Sequence, residues 1–463
     1  MKRSSSRLVS SRVYTLFLLF LFFIVIAVFR LTEKADHHAV LKWDVCGYYN
    51  YLPALFIYQD IRQFRFFDKI DSIYRPTDGA VARYALYPVG DSGNVCNQYT
   101  VGVAIFHLPI FALTYVAHVL ADLPYNDGYS KWYQWGVFLS TWLVSLFSFL
   151  LLFHWLQRYV SVFSSLMVIL LLGIGTNYVN YIAFEPGMSH PYAFFLVSVI
   201  LFSTDKWYRK ARMEYALILG LAVGILAITR PVDVLVVLIP LGWGYVGSRW
   251  AFWWRHRWQV LAMLVICILA IMPQLLYWKY VTGLWIYDSY GEEHGFVWHR
   301  PRIWQGLFSF RKGWIIYSPL VLLGFVGLFF MNKARKLSWY PILFGVFFLP
   351  FMYIVFCWRN WPYGWSYGSR PLIDILPLLA LPMGILIERM SGFKRGHQAM
   401  WACGLLMLCV LNIFQHWQYT QGILRGDGMT WEYYKRVFLK RSVDAETLDI
   451  IKIQEQEDYE KGL

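Results

Sequence analysis

The amino-acid sequence predicts an all-α polytopic membrane protein with about eleven transmembrane helices. Three observations carry that prediction. Hydrophobic residues make up 58% of the 463 positions and charged residues only 15%, where soluble domains run near about a quarter charged. Mean hydropathy is +0.44, and apolar runs of the ~20 residues needed to cross a bilayer recur from end to end. Basic residues collect in the connections between alternate runs, as the positive-inside rule requires. The 42 Lys and Arg outnumber the 28 Asp and Glu to give a net +14. In a membrane chain that excess reports topology and lipid headgroups rather than nucleic acid. A soluble globular enzyme and a nucleic-acid partner are both excluded.

Residues 1–12 hold Lys2, Arg3, Arg7 and Arg12, and the apolar run 13–31 follows directly. The run is long for a signal sequence, no small-x-small site closes it, and Arg30, Glu33 and Lys34 come next. It reads as an uncleaved first helix with a cytoplasmic N-terminus. A polar external loop with short helices then spans about 32–133. Within it the stretch 101–120 is apolar but contains His107, Pro109 and His118 and precedes an acidic segment, so it reads as an interfacial or re-entrant helix.

Further apolar runs lie near 134–155, 162–182, 190–204, 214–229, 232–247, 259–280, 314–331, 338–357, 371–388 and 399–416. Alternation places five basic connections in the cytoplasm: Arg158; Lys206, Arg209, Lys210 and Arg212; Arg249, Arg255 and Arg257; Lys333, Arg335 and Lys336; and Arg389, Lys394 and Arg395. Counting 101–120 as a crossing would export the Lys206 to Arg212 cluster. External turns then fall at 185–189 and 230–231, external loops at 281–313 and 358–370. Residues 13–416 read as one transmembrane module and 417–463 as an external tail, either a small helical appendage or a disordered end.

Of the six cysteines, Cys267, Cys357, Cys403 and Cys409 lie in or beside apolar helices, where a small polarizable side chain is ordinary packing. Cys46 and Cys96 share the first external loop, where disulfides persist, which leaves a bridge between them and two free thiols as the alternatives. No closely spaced Cys/His cluster of the zinc-binding kind appears.

Three groups of residues can carry chemistry. Asp44, in Trp43-Asp44-Val45-Cys46-Gly47-Tyr48-Tyr49, sits shortly after the first helix. A carboxylate there can orient a metal or take a proton, and Tyr48 and Tyr49 offer rings and hydroxyls suited to a sugar or lipid headgroup. The competing interpretation is a solvated aspartate beside an aromatic belt. Glu185 and His190, in Phe184-Glu185-Pro186-Gly187-Met188-Ser189-His190, are ionisable groups at the membrane boundary and thus functional candidates, against a plain helix-breaking turn. Arg230, Arg311 with Lys312, and Arg370 behind the loop holding Tyr367 are cations suited to phosphate oxygens. Their bland alternative is local ion pairing, Arg230 with Asp233 and Arg370 with Asp374. Asp288, Glu292, Glu293 and His294 could form a lid or a solvated charge cluster. Neither a phosphate-cradling Gly-rich loop nor a His-Glu-x-x-His metal motif appears.

This constellation resembles the GT-C glycosyltransferases, membrane enzymes that use polyprenyl-phosphate sugars. It is most similar to the bacterial branch with protein O-mannosyltransferases and lipid A aminoarabinose transferases. The likeness lies in the layout to about residue 416: one helix, a long external loop with an early acid, a helix within that loop, then a multi-helix bundle. Met188-Ser189-His190-Pro191-Tyr192-Ala193-Phe194-Phe195 and Tyr363-Gly364-Trp365-Ser366-Tyr367-Gly368-Ser369-Arg370 also resemble segments of bacterial membrane proteins of that class.

The resemblance implies sugar transfer with inversion at the periplasmic face of the bacterial inner membrane. The donor is a polyprenyl-phosphate-linked sugar and the acceptor a protein, lipid or glycan. Asp44 takes the place of the early acid and acts as base, and Glu185 stands where a second acid often occurs. His190, Tyr48 and Tyr49 would hold sugar or acceptor, with Arg230, Arg311, Lys312, Tyr367 and Arg370 around the phosphate. Asp44 is followed by Val45 rather than by the second acid of many relatives, so a paired-carboxylate metal site is not evident; no cofactor is assigned, and a divalent metal is the one candidate left open. Two other classes fit the same surfaces: a transporter or flippase of a lipid-linked sugar, and a glycan polymerase or ligase of another membrane fold. Against the first, the chemical residues cluster at one face rather than the midplane. Against the second, the longest loop comes first rather than late.

Overall fold

The computed structural model describes residues 40–244, 249–291, 295–331 and 337–450. The expected first helix at 13–31, the basic connection Lys333, Arg335 and Lys336, and Glu292, Glu293 and His294 lie outside the described residues.

The described chain is mostly helical, with one pair of short strands. Five of its helices are long and apolar enough to cross a membrane: Gly102–Leu120, Lys131–Leu156, Arg257–Thr282, Tyr340–Cys357 and Arg395–Thr420. This fits the all-α membrane class, with five candidate spans among the described residues. Other apolar runs are broken. The run 162–182 divides into Val162–Ile174 and Tyr178–Ala183, and 314–331 into Trp314–Tyr317, Pro319–Val321 and Leu322–Leu328. Pro319, which has no N–H to donate, sits at the second of these breaks. The stretch expected to lie at the interface is a continuous 19-residue helix, Gly102–Leu120, that carries Pro109 without breaking. Length and composition group it with the candidate spans.

The chain forms two compact units. Among the described residues, 40–152 and 181–291 make the first, and 153–180 and 295–450 the second.

In the first unit the expected loop is folded as far as it is described, from residue 40 on. Short helices Trp43–Tyr49, Tyr51–Phe56 and Phe67–Tyr74 precede an antiparallel pair, Leu86–Pro88 with Val95–Asn97, in which Leu86 faces Asn97. Two of its tyrosines bury their rings while each of their hydroxyls finds a carbonyl. Tyr49 Oη donates to Gly128 O at 2.6 Å and Tyr51 Oη to Tyr99 O at 2.5 Å. Asn97 ties strand to helix, its Nδ2 donating to Gly47 O at 2.7 Å and its backbone N–H to Tyr277 Oη at 2.8 Å. Behind this layer, Met213–Ala227 packs on Arg257–Thr282. Gly220 and Gly224, one turn apart, permit it, because a Cβ on either would overlap the carbonyl oxygen of Met263 or of Cys267. Small residues at four-residue spacing let membrane helices approach to backbone contact.

In the second unit Leu322–Leu328 packs on Leu376–Met390. Glu388 Oε2 caps Val162–Ile174 by accepting from Ser161 N at 2.9 Å and from Ser161 Oγ and Ser164 Oγ at 2.6 Å each. The expected boundary at 416 falls inside the helix Arg395–Thr420. The tail that follows is folded as far as it is described. Thr430 caps Trp431–Val437, and Ile423, Leu424, Met429, Tyr433, Tyr434 and Val437 pack with Tyr317 and Tyr367.

Candidate functional site: an acid, tyrosines and an arginine in the first unit

The site begins at a strained residue. Trp43 has φ +46°, a left-handed conformation that costs a bulky side chain on the order of 1–3 kcal/mol and that clusters at functional sites. Its N–H donates to Pro76 O at 3.1 Å, and Lys42 beside it pairs with Asp78 at 2.8 Å. The indole stays 41% exposed and meets the Tyr84 ring edge-on at 5.2 Å.

Asp44 follows, half-buried. Its Oδ1 accepts from Tyr84 Oη at 2.8 Å and from Tyr99 Oη at 2.6 Å, and the two phenols lie 3.1 Å apart. Burial, and after it the neighbouring Asp44 charge, pushes the Tyr99 hydroxyl well above its ordinary value of 10.0. Tyr99 therefore stays a donor to the carboxylate. Gly47 admits this arrangement, since a Cβ there would overlap the Tyr99 ring.

The turn bearing Glu185 packs against the same helix. Gly187, at φ +93°, lies against Val45, where a Cβ would collide, and its N–H donates to Thr141 Oγ1 at 2.9 Å. Two residues on, Ser189 Oγ accepts from Tyr48 Oη at 3.3 Å and from Arg230 Nη1 at 3.3 Å. Arg230 Nε also pairs with Asp233 at 3.3 Å, both side chains largely buried. The Tyr48 ring lies 4.4 Å from that of Tyr99, so contacts run unbroken from the Asp44 carboxylate through Tyr99, Tyr48 and Ser189 to the Arg230 guanidinium. His190 is 1% exposed, its ring edge-on to Tyr181 at 5.6 Å. Tyr290 reaches the Tyr99 ring at 6.2 Å from the loop read as either a lid or a solvated charge cluster. Chemically, the arrangement offers a carboxylate acceptor held by two phenols at one end and a guanidinium at the other.

The structure thus brings together Asp44, Tyr48, the Glu185 turn and Arg230, while His190 is buried with its ring against Tyr181. Other expectations need correction. Tyr49 is 1% exposed and its hydroxyl is committed to Gly128 O, so it braces the loop rather than facing a substrate. No disulfide joins Cys46 to Cys96. The Cys46 thiol donates to Asn50 Oδ1 at 3.4 Å and the Cys96 thiol to Asn97 O at 3.5 Å. Burial pushes both up, Cys96 to about 12, so neither offers a thiolate.

The remaining expected residues belong to the second unit. Lys312 is 1% exposed, and its ammonium donates to Gly364 O at 2.8 Å, Ser366 O at 2.8 Å, Ser366 Oγ at 2.7 Å and Gly426 O. An ammonium has three N–H groups, so Lys312 is a pin for the loop, not a phosphate clamp. Arg311 pairs with Asp427 at 2.7 Å, as Arg230 does with Asp233 in the first unit. Tyr367 is 1% exposed, its ring among Tyr317, His416 and Tyr419. Arg370 opens a short 3-10 turn, Arg370–Ile373, half-buried. Gly364, Ser366 and Gly368 also carry the Gly-x-Ser-x-Gly spacing of a nucleophile elbow. The elbow needs a strand-to-helix turn, whereas here the loop follows the helix Tyr340–Cys357 and its serine is held by a carbonyl-bound ammonium.

Tyr84, Tyr99 and Ser189 are site residues that sequence reasoning missed. Tyr84 and Tyr99 lie 40 and 55 residues from Asp44, among many tyrosines with no distinguishing spacing. Among the described residues, no group of three or more His, Cys, Asp or Glu side chains could hold a metal ion. The chain matches no protein-family model, and no curated protein matches it.

Proposed function

We propose that this chain is a membrane glycosyltransferase that moves a sugar from a polyprenyl-phosphate-linked donor to a hydroxyl-bearing acceptor at the outer face of the bacterial inner membrane. The observation that carries the reading is the Asp44 carboxylate, held by Tyr84 and Tyr99 and linked through Tyr48 and Ser189 to Arg230.

Asp44 accepts the proton of the acceptor hydroxyl as its oxygen attacks the anomeric carbon. The bond from that carbon to the phosphate oxygen breaks, the lipid phosphate departs with the electron pair, and the configuration inverts. Tyr84 and Tyr99 orient the carboxylate so that proton transfer meets a fixed acceptor. Arg230, itself oriented by Asp233, stabilises the negative charge on the leaving phosphate. Exposed Trp43 supplies an aromatic face for the apolar side of a sugar ring. The shorter apolar helices Val162–Ile174, Met213–Ala227, Pro231–Gly242 and Pro319–Leu328, together with Ser189–Lys210, Leu376–Met390 and the apolar run 13–31, join the four long spans other than Gly102–Leu120 to make about eleven crossings. Gly102–Leu120 then lies in the membrane surface, which keeps the basic connections cytoplasmic.

The test is release of polyprenyl phosphate by the purified full chain in nanodiscs, supplied with a panel of radiolabelled polyprenyl-phosphate sugars and envelope acceptors. Turnover by wild type that disappears in a folded D44N protein is the expected result. If no donor is turned over while proteoliposomes carry one across the bilayer, transport replaces transfer.

A further inference from the structure

The helix Arg249–Arg255 and the start of Arg257–Thr282 have two unlike faces. One is docked on the end of Ser189–Lys210. Phe252 packs on Trp207 at 5.2 Å and Tyr208 at 5.1 Å, and Trp253 Nε1 donates to Tyr208 Oη at 2.9 Å. Gln259 accepts from Trp207 Nε1 at 2.7 Å and donates to Ala211 O at 2.6 Å. The other face is left outside. Trp250, Trp254 and Trp258 recur every fourth residue and are 78%, 68% and 67% exposed. Arg255 and Arg257 are exposed among them, and the Arg257 guanidinium lies 5.9 Å from the Trp254 ring and 5.8 Å from that of Trp258.

The charge on this face has one sign. Residues 249–258 contain three arginines and no acid. The neighbouring acids are already paired, Asp205 with Arg209 and Glu214 with Arg212, at 2.8 Å each, while Lys210 is exposed beside them. Three indoles on one face would be an aggregation liability in water, but they match the headgroup level of a bilayer, where amphipathic rings settle. Guanidiniums between the indoles match phosphate oxygens at that depth.

We propose that Trp250, Trp254 and Trp258 with Arg255 and Arg257 form a binding surface for the headgroups of anionic phospholipids. This inference does not depend on the transfer reaction. The arginines confer preference for negative over zwitterionic lipid, and the indoles fix the depth of the segment.

The experiment uses the full-length protein purified in detergent, titrated with phosphatidylglycerol or phosphatidylcholine, with retained lipids counted by native mass spectrometry. In R255Q/R257Q, phosphatidylglycerol binding is expected to weaken about 30-fold, the effect of two arginines near an anionic surface, while phosphatidylcholine binding is unchanged. R255K/R257K, which keeps the charge, retains the preference. Equal phosphatidylglycerol retention by wild type and R255Q/R257Q overturns the proposal. So does a wild-type dimer that W250A/W254A/W258A converts to monomer, because the face would then belong to a second copy.

Discussion

Replacing Asp44 with asparagine separates the two roles the carboxylate plays. Its Oδ1 accepts two phenol hydroxyls, at 2.8 and 2.6 Å. Hydrogen bonds to a charged group contribute about 1.5–3 kcal/mol and neutral ones about 0.5–1.5 kcal/mol. The amide oxygen of asparagine still accepts both, so the loss is on the order of 1–3 kcal/mol, small enough for a protein of ordinary stability to fold. As a proton acceptor, however, the amide is useless. Removal of a required general base costs ~10²-fold or more in rate, about 2.7 kcal/mol in the barrier. D44N should therefore keep its thermal unfolding transition to within a few degrees, bind donor near normally, and lose its rate of polyprenyl-phosphate release. Single-turnover release, read beside donor affinity, distinguishes the two. A folded D44N that releases lipid phosphate within threefold of wild type would refute the assignment of Asp44 as base.

Three further outcomes follow from particular contacts. Trp43→Gly removes a left-handed side chain and should stabilise the protein by about 1 kcal/mol, yet raise KM several-fold. Thermal unfolding beside initial rates would detect both, and an unchanged KM would remove the indole from substrate recognition. Lys312→Met leaves the oxygens of Gly364, Ser366 and Gly426 without their shared donor and should destabilise by roughly 3 kcal/mol or more, seen as a lowered unfolding midpoint in detergent. Asp427 gives a pH signature. Burial pushes its carboxyl up, but the bond from Arg311 and the charges of Lys312 and Arg311 together bring it below its ordinary 3.8. A depressed folded value means stability that is present above the unfolded value and lost as pH falls through the folded one. Unfolding midpoints measured between about pH 5 and 2 should thus fall less steeply for D427N than for wild type.

The candidate site was partly legible in sequence. Asp44, Glu185, His190 and Arg230 stood out because ionisable groups near apolar runs are costly and therefore noticeable. Tyr84 and Tyr99 did not, because a tyrosine among 33 declares nothing until a carboxylate is placed against it. Lys312 misled for the opposite reason. A cation at the start of an apolar run resembles a phosphate clamp, and only the fold reveals that carbonyl oxygens already occupy its donors.

Sequence by itself pointed to a bilayer as the solvent and set the helical class. Apolar length and composition are local properties, and a bilayer admits few ways to satisfy a buried backbone. It also marked the acid-bearing segment after the first run. Tertiary structure alone decided the partners. Gly220 and Gly224 acquired meaning only against Met263 and Cys267, and Cys46 and Cys96 resolved into separate thiols because each meets a different acceptor. Asp44 became a held carboxylate through residues 40 and 55 positions away. Such pairings depend on loop closure over long separations, which no periodicity or spacing in the chain encodes.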